Sequence, residues 1–260
     1  MTDPLTSGTP LVIAAHGTRD EAGVAECRAL AERVARKLPG IPVELGFVEL
    51  AEPGIPEAVG AAVAQAPDNP EGAGGDEEAA AVVVPLMFNT GGHVREDIPE
   101  AIDEGRGDAR VMYSAPLLPD VRMRKALNHR LTETLAAGEG CEEWRPRDTS
   151  AVLVGRGALV PDANASHYTL TRMFWEENDL SRVEPAFIQV TRPSVPEALS
   201  ALAAQGANQI VVQGNFLFPG LLHVWMTEQV EAWQASHPGV EIRIAPVIGC
   251  LLYTSPSPRD

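Results

Sequence analysis

The chain has 260 residues with 36 acidic and 20 basic side chains, a formal charge of −16, which argues against a general nucleic-acid surface, since that needs a basic footprint. Apolar residues make up 45% and charged residues 22%, enough for a packed core and too apolar for disorder. No apolar run reaches the roughly 18–20 residues of a membrane span, and the opening Met1-Thr-Asp-Pro-Leu5 has neither a charged nor an apolar signal region, so a cytoplasmic protein without a membrane partner is expected.

Short apolar runs alternate with amphipathic segments along the chain. Strands are expected at residues 11–15, 43–48, 80–86 and 110–113, and helices at 20–37, 53–65, 94–104 and 121–136. A second set of strands is expected at 151–154, 183–190, 209–213 and 241–245. Strand–helix alternation implies an α/β class with parallel strands and helical crossovers. Pro53 and Pro193 suit the first turn of a helix, where a missing N–H costs nothing.

The two sets repeat one another. Leu11-Val-Ile-Ala-Ala-His-Gly17 aligns with Ala151-Val-Leu-Val-Gly-Arg-Gly157, and Phe47-Val-Glu-Leu-Ala-Glu-Pro53 with Phe187-Ile-Gln-Val-Thr-Arg-Pro193, both at an offset of 140. Pro85–Val94 aligns with Asn215–Val224, and Ala115-Pro116 with Ala245-Pro246, at an offset of 130. The difference is the Gly-, Pro- and acid-rich stretch 68–78, present in the first half alone. It reads as a mobile surface loop, with an acidic metal-collecting loop as the less favoured reading. Residues 138–150 lack apolar periodicity, which puts a domain boundary there. The expected organisation is a first half over 1–140, a degenerate and truncated second half over 141–249, and a tail over 250–260. In the first half a helix, 121–136, follows the Ala-Pro motif and closes the unit. In the second half the tail, Cys250-Leu-Leu-Tyr-Thr-Ser-Pro-Ser-Pro-Arg-Asp260, resembles the conceptual translation of a sequencing-library adapter and is expected to be non-native.

Chemistry is sought at the carboxyl ends of the strands, where open α/β sheets bind ligands. His16 follows the first strand, with Gly17 permitting a sharp turn. Glu49 ends the second, and His93 follows the third through the loop Asn89-Thr90-Gly91-Gly92. Two imidazoles and a carboxylate suit a divalent transition metal with positions left open, and imidazole also accepts protons near neutral pH. Taken singly, each has an ordinary alternative: a structural histidine, a solvated acid, a simple turn. What favours a site is that all three fall on one rim of one inferred sheet. Cys27, Cys141 and Cys250 show no CxxC spacing, so no disulfide framework, zinc knuckle or iron–sulfur cluster is expected.

At these residues the sequence resembles the sirohydrochlorin chelatases, the class II tetrapyrrole chelatases of siroheme and cobalamin synthesis. The motifs are Ala15-His-Gly-Thr-Arg19, Phe47-Val-Glu-Leu-Ala-Glu-Pro53, Val84-Pro-Leu-Met-Phe88 leading to Gly92-His-Val-Arg-Glu-Asp-Ile-Pro99, and Val154-Gly-Arg-Gly157 with Pro161-Asp162. The resemblance spans residues 10–249 in its long, two-half form. It implies the chelatase fold, two Rossmann-like halves facing a central cleft, and insertion of Co²⁺ or Fe²⁺ into sirohydrochlorin, the metal being substrate and no organic cofactor being needed. It places His16, Glu49 and His93 at the catalytic and metal positions. The second half departs from the pattern, with Arg156 for the first His and Gln189 for the Glu, leaving His223 alone. One active site is therefore expected.

A polycarboxylate substrate must be attracted to an acidic protein locally. Residues 1–150 hold 26 acids and 14 bases, and residues 151–260 hold 10 and 6, which makes the second half the better carboxylate platform. Arg binds carboxylates bidentately. Arg156, with Arg19 and Arg95 beside the histidines, His223 and the loop Asn89, Thr90, Gly91 and Gly92 are the expected substrate contacts; Arg192 lies at a further strand end. A monomer or a homodimer is expected. Two alternatives stand beside this reading: a non-catalytic tetrapyrrole or metal carrier, and a protoporphyrin ferrochelatase, against which the 5% aromatic content weighs.

Overall fold

A computed structural model of the chain describes residues 8–19, 21–66, 79–88, 91–136 and 143–250. The expected surface loop 68–78, Cys141, the loop residues Asn89 and Thr90, and the tail beyond Cys250 lie outside these residues.

Among the described residues the chain forms two four-stranded parallel sheets. The first contains β1 (Leu11–Ala15), β2 (Val43–Phe47), β3 (Ala81–Pro85) and β4 (Val111–Tyr113), in the order β2-β1-β3-β4. Its helices are α1 (Glu21–Lys37), α2 (Ile55–Ala64) and α3 (Ile98–Gly105). β1 is buried at all five positions, as a central parallel strand covered on both faces must be. Val12 and Ala14 face α2 and α3, packing with Ile55, Val59, Ile98 and Ile102. Leu11 and Ile13 face the other way, toward Ala31 and Val34 of α1. Gly46 lets α2 approach, since a Cβ there would sit 2.8 Å from the Ile55 Cα.

The second sheet contains β5 (Ser150–Gly155), β6 (Arg182–Phe187), β7 (Gln209–Gly214) and β8 (Glu241–Ile244), in the order β6-β5-β7-β8. Helices α5 (Pro161–Asn178), α6 (Val195–Ala204) and α7 (Leu221–Gln234) follow in chain order. The repeat is reproduced in backbone detail. Val48 N–H donates to the Ala15 carbonyl and Glu49 N–H to the His16 carbonyl; in the second unit Ile188 N–H donates to Gly155 and Gln189 N–H to Arg156.

Three expectations are corrected. Pro53 and Pro193 do not start helices. Phe47 N–H and Phe187 N–H donate to their carbonyls, and isolated parallel bridges join Phe47 to Gly54 and Phe187 to Ser194, so the chain is still extended there; helix α2 begins at Ile55, with Pro56 in its first turn. The helix expected over 94–104 opens instead as a π-turn, His93–Asp97, before α3. Finally, α4 (Val121–Ala136) does not close the first unit: the chain divides between Leu117 and Leu118. It packs on β7 and α5, its Arg130 Nε donating to the Val247 carbonyl at 2.8 Å, and Arg124 and Asn128 both donating to Glu177 at 2.8 Å.

The α5 face of the second sheet buries His167 at 1% exposure. Its Nε2 lies 3.0 Å from the Leu153 carbonyl, and a Cβ on Gly155 would come within 3.1 Å of the ring. Burial pushes its pKa down to about 4, against the opposing pull of the Leu153 and Ala186 carbonyls. Between that value and an unfolded value near 6.5 the unfolded chain binds more protons, so stability is lost as pH falls through this window. The full loss is on the order of 3 kcal/mol. Urea unfolding at pH 7 and pH 5 should show this fall, and His167→Phe should flatten the dependence.

Candidate functional site

The strand order explains where the site lies. The chain leaves β1 for β2 on one side and returns to β3 on the other, and ligands bind at the carboxyl ends of strands where that order reverses. His16 follows β1, Glu49 lies just past β2, and His93 opens the π-turn past β3. The structure brings all three together. Among the described residues they form the one group of three His, Cys or acidic side chains whose ligand atoms all lie within 4.8 Å of one another.

His16 Nδ1 lies 3.9 Å from Glu49 Oε1. The His16 and His93 rings meet edge to face, with centroids 4.7 Å apart and planes at 85°. All three side chains are partly open to solvent, His93 the least at 30%. Ligand bonds of about 2.0–2.2 Å place two donor atoms roughly 3–4 Å apart around one ion, so a set spread over at most 4.8 Å is only slightly wider than a single cation would need. Two imidazoles and a carboxylate in this arrangement could hold one divalent ion with positions left open.

Tight backbone geometry fixes the first two members. Gly17 has φ +89°, and a Cβ there would stand 1.8 Å from the Glu49 carbonyl oxygen. Leu50, directly after Glu49, is also left-handed at φ 64°, as Val190 after Gln189 is at φ 71°, so this strain belongs to the repeated turn of both units.

The other expected site residues are placed as follows. Gly91 and Gly92 precede the π-turn, and a Cβ on either would meet nothing within 4 Å, so neither is required by crowding; Gly91 accepts the Arg95 N–H at 3.2 Å. Arg19 and Arg95 are exposed. In the second unit Arg156 is exposed directly after β5. Arg192 is paired with Glu197 at 3.2 Å. His223, in the first turn of α7, is half-buried, and desolvation lowers its pKa; its Nδ1 is buried without a hydrogen-bond partner. Gln189 and Arg156 occupy the positions that correspond to Glu49 and His16, and among the described residues the second unit assembles no comparable donor set.

Sequence reasoning passed over Asp97, whose Oδ2 lies 2.5 Å from His93 Nδ1. The signal was present: an acid four residues after a histidine at the start of a helix shares its face.

The model of the CbiX family matches residues 10–134 and 150–251. The chain is 30% identical over 212 residues to the sirohydrochlorin cobaltochelatase of Priestia megaterium, a match covering 80% of this chain and 64% of that relative. It is 28% identical to the sirohydrochlorin ferrochelatase of Bacillus subtilis (strain 168), covering 86% of this chain and 80% of that one. In fold it is similar to SirB from Bacillus subtilis solved with Fe³⁺, with a TM-score of 0.76 and 25% identity over 92% of this chain and 88% of the other.

Proposed function

The chain belongs to the CbiX family, and from that premise we propose that it inserts Co²⁺ or Fe²⁺ into sirohydrochlorin in siroheme or cobalamin biosynthesis. The observation that carries this reading is the convergence of His16, Glu49 and His93 within 4.8 Å.

In the reaction the divalent ion enters the macrocycle as the pyrrole N–H protons leave. His16, Glu49 and His93 first take the ion from water, with Glu49 offsetting part of its charge. Asp97 occupies His93 Nδ1, so His93 presents Nε2 to the ion and to the ring. As the pyrrole nitrogens replace the protein ligands around the ion, the released imidazoles are positioned to accept the departing protons, and solvent drains them through the open face of the site. Catalysis is then positioning, stepwise desolvation of the ion and proton removal. Arg156 is the carboxylate contact we assign to the second unit, since it stands where the first unit has His16 but carries a fixed positive charge. Arg19, Arg95, His223 and the loop Asn89, Thr90, Gly91 and Gly92 complete the proposed substrate contacts. The protein would work without an organic cofactor, as a monomer or homodimer, in the cytoplasm.

Anaerobic incubation of sirohydrochlorin with Co²⁺, Fe²⁺ and Ni²⁺ in parallel, followed by the pigment's absorbance change, tests this directly. Catalytic amounts of protein should accelerate insertion of Co²⁺ or Fe²⁺ well above the rate without protein. Stoichiometric binding of pigment or product with no turnover would replace the enzyme by a carrier.

A further inference from the structure

We infer that Asp97 is a positioning residue for the metal-transfer histidine, holding His93 in one tautomer with Nε2 aimed at the ion, and that the π-turn set by Pro99 and Tyr113 builds this pair. The inference rests on the proposed reading of the site and deepens it.

The construction begins with Pro99. In the π-turn the Ile98 N–H reaches back five residues to the His93 carbonyl. The next carbonyl, Val94, would take its bond from residue 99, but proline has no N–H and its ring crowds the preceding turn. Tyr113 of β4 supplies the missing donor, its Oη donating to the Val94 carbonyl at 2.9 Å. Burial pushes the Tyr113 pKa up to about 12, so the phenol keeps its proton at any working pH. The widened turn is thus locked at both ends of the site: His93 faces His16, and Asp97 lies against His93 Nδ1 at 2.5 Å.

An ionised carboxylate only accepts hydrogen bonds, so His93 Nδ1 carries the proton and donates it to Asp97. The free lone pair is then on Nε2. A carboxylate behind a metal-binding imidazole fixes ring orientation and raises ligand basicity.

The second unit supplies an internal comparison at the offset of 130 that pairs His93 with His223. Asp97 corresponds to Thr227, Pro99 to Gln229 and Tyr113 to Arg243. Thr227 Oγ1 donates to the His223 carbonyl at 3.0 Å rather than to the imidazole. Gln229 Nε2 donates to the Ile188 carbonyl at 3.3 Å, and Arg243 donates to the Thr134 and Leu135 carbonyls while stacking over Trp144. α7 runs as an ordinary α-helix from Leu221, and His223 Nδ1 is left buried without a partner. The carboxylate, the proline and the tyrosine are therefore all absent from the copy that also lacks the other two ligands. A mere helix-surface ion pair, worth a few tenths of a kcal/mol, gives no reason for that coincidence.

The test uses the full chain and Co²⁺ alone, followed by its d–d absorption, with ¹⁵N NMR of the histidine rings to read the tautomer. Asp97 is half exposed, so its variants should fold and melt close to the parent. Asp97→Ala should weaken Co²⁺ binding about 10–100-fold and release His93 into a mixture of tautomers. Asp97→Asn still accepts from Nδ1–H and should restore most of the affinity and the single tautomer. Tyr113→Phe should weaken binding by a smaller factor with the same spectral shape. Unchanged Co²⁺ affinity in Asp97→Ala, or a parent protein that binds no Co²⁺, overturns the inference. So does an Asn variant as weak as Ala with an altered absorption band, which would make Asp97 a ligand itself. A parent that binds Co²⁺ but does not turn over sirohydrochlorin removes the proposed function and leaves the assignment of Asp97 decided by the same titration.

Discussion

Replacing either His16 or His93 by Ala should lower the rate of metal insertion by roughly 10²–10⁴-fold, the range for losing a positioned proton acceptor, while sirohydrochlorin still binds. The two losses should not add. With ring centroids 4.7 Å apart the imidazoles would act on one ion under the proposed function, and removing a member of a group that works as a unit removes most of its effect. Binding of the pigment should persist because its carboxylates are assigned to Arg19, Arg95 and Arg156, not to the imidazoles. His223→Ala is the control: without a neighbouring carboxylate or second imidazole it should cost only a few-fold. Single-turnover kinetics with separate measurement of pigment binding would decide. Two fully active histidine variants would leave only the carrier, and an equal loss in His223→Ala would mean the second unit carries part of the chemistry.

Much of this arrangement was legible because both sheets are parallel. Strands such as β1 and β5, buried on both faces, read as unbroken apolar runs, so their bounds fell within one or two residues. His16, Glu49 and His93 could then be placed on one rim from strand ends alone. What escaped was whatever depends on a partner distant in the chain. Pro53 and Pro56 are equally good helix starters by residue type; the Phe47 N–H that takes the Pro53 carbonyl keeps the first extended. Pro99 announces a disturbed helix, but the donor that takes the Val94 carbonyl, Tyr113 of β4, lies too far along the chain for the local sequence to reveal. The apolar face of α4, with Leu127, Leu131 and Leu135, says that it is covered without saying by which sheet; Arg130 on the Val247 carbonyl is the contact that fixes it. The roles proposed for the exposed Arg19, Arg95 and Arg156 rest on their charge and on their places in the sequence beside or in register with the histidines.

Gly17→Ala should do more damage to the site than its size suggests, and Gly157→Ala shows why. Both glycines sit at positive φ, +89° and +91°, and a Cβ on either would overlap a carbonyl oxygen, Glu49 at 1.8 Å and Gln189 at 2.0 Å. Each variant pays for a left-handed alanine and for a backbone clash, together roughly 2–5 kcal/mol. For a domain of this size that lowers Tm by very roughly 5–20 °C. The clash is relieved only by moving the segment that carries residue 49 or 189. That segment has little slack: Val48 and Ile188 N–H groups hold one side of it, and Leu50 and Val190, both at positive φ, hold the other. In the first unit the displaced residue is Glu49, whose Oε1 stands 3.9 Å from His16, so Co²⁺ affinity should fall along with stability. In the second unit the displaced residue is Gln189, which holds no ion, so Gly157→Ala should melt early and titrate with Co²⁺ like the parent. Calorimetry and the Co²⁺ titration on the two variants separate the fold's use of this turn from the site's. Equal Co²⁺ loss in both, or none in Gly17→Ala, would show that the turn does not set the position of Glu49.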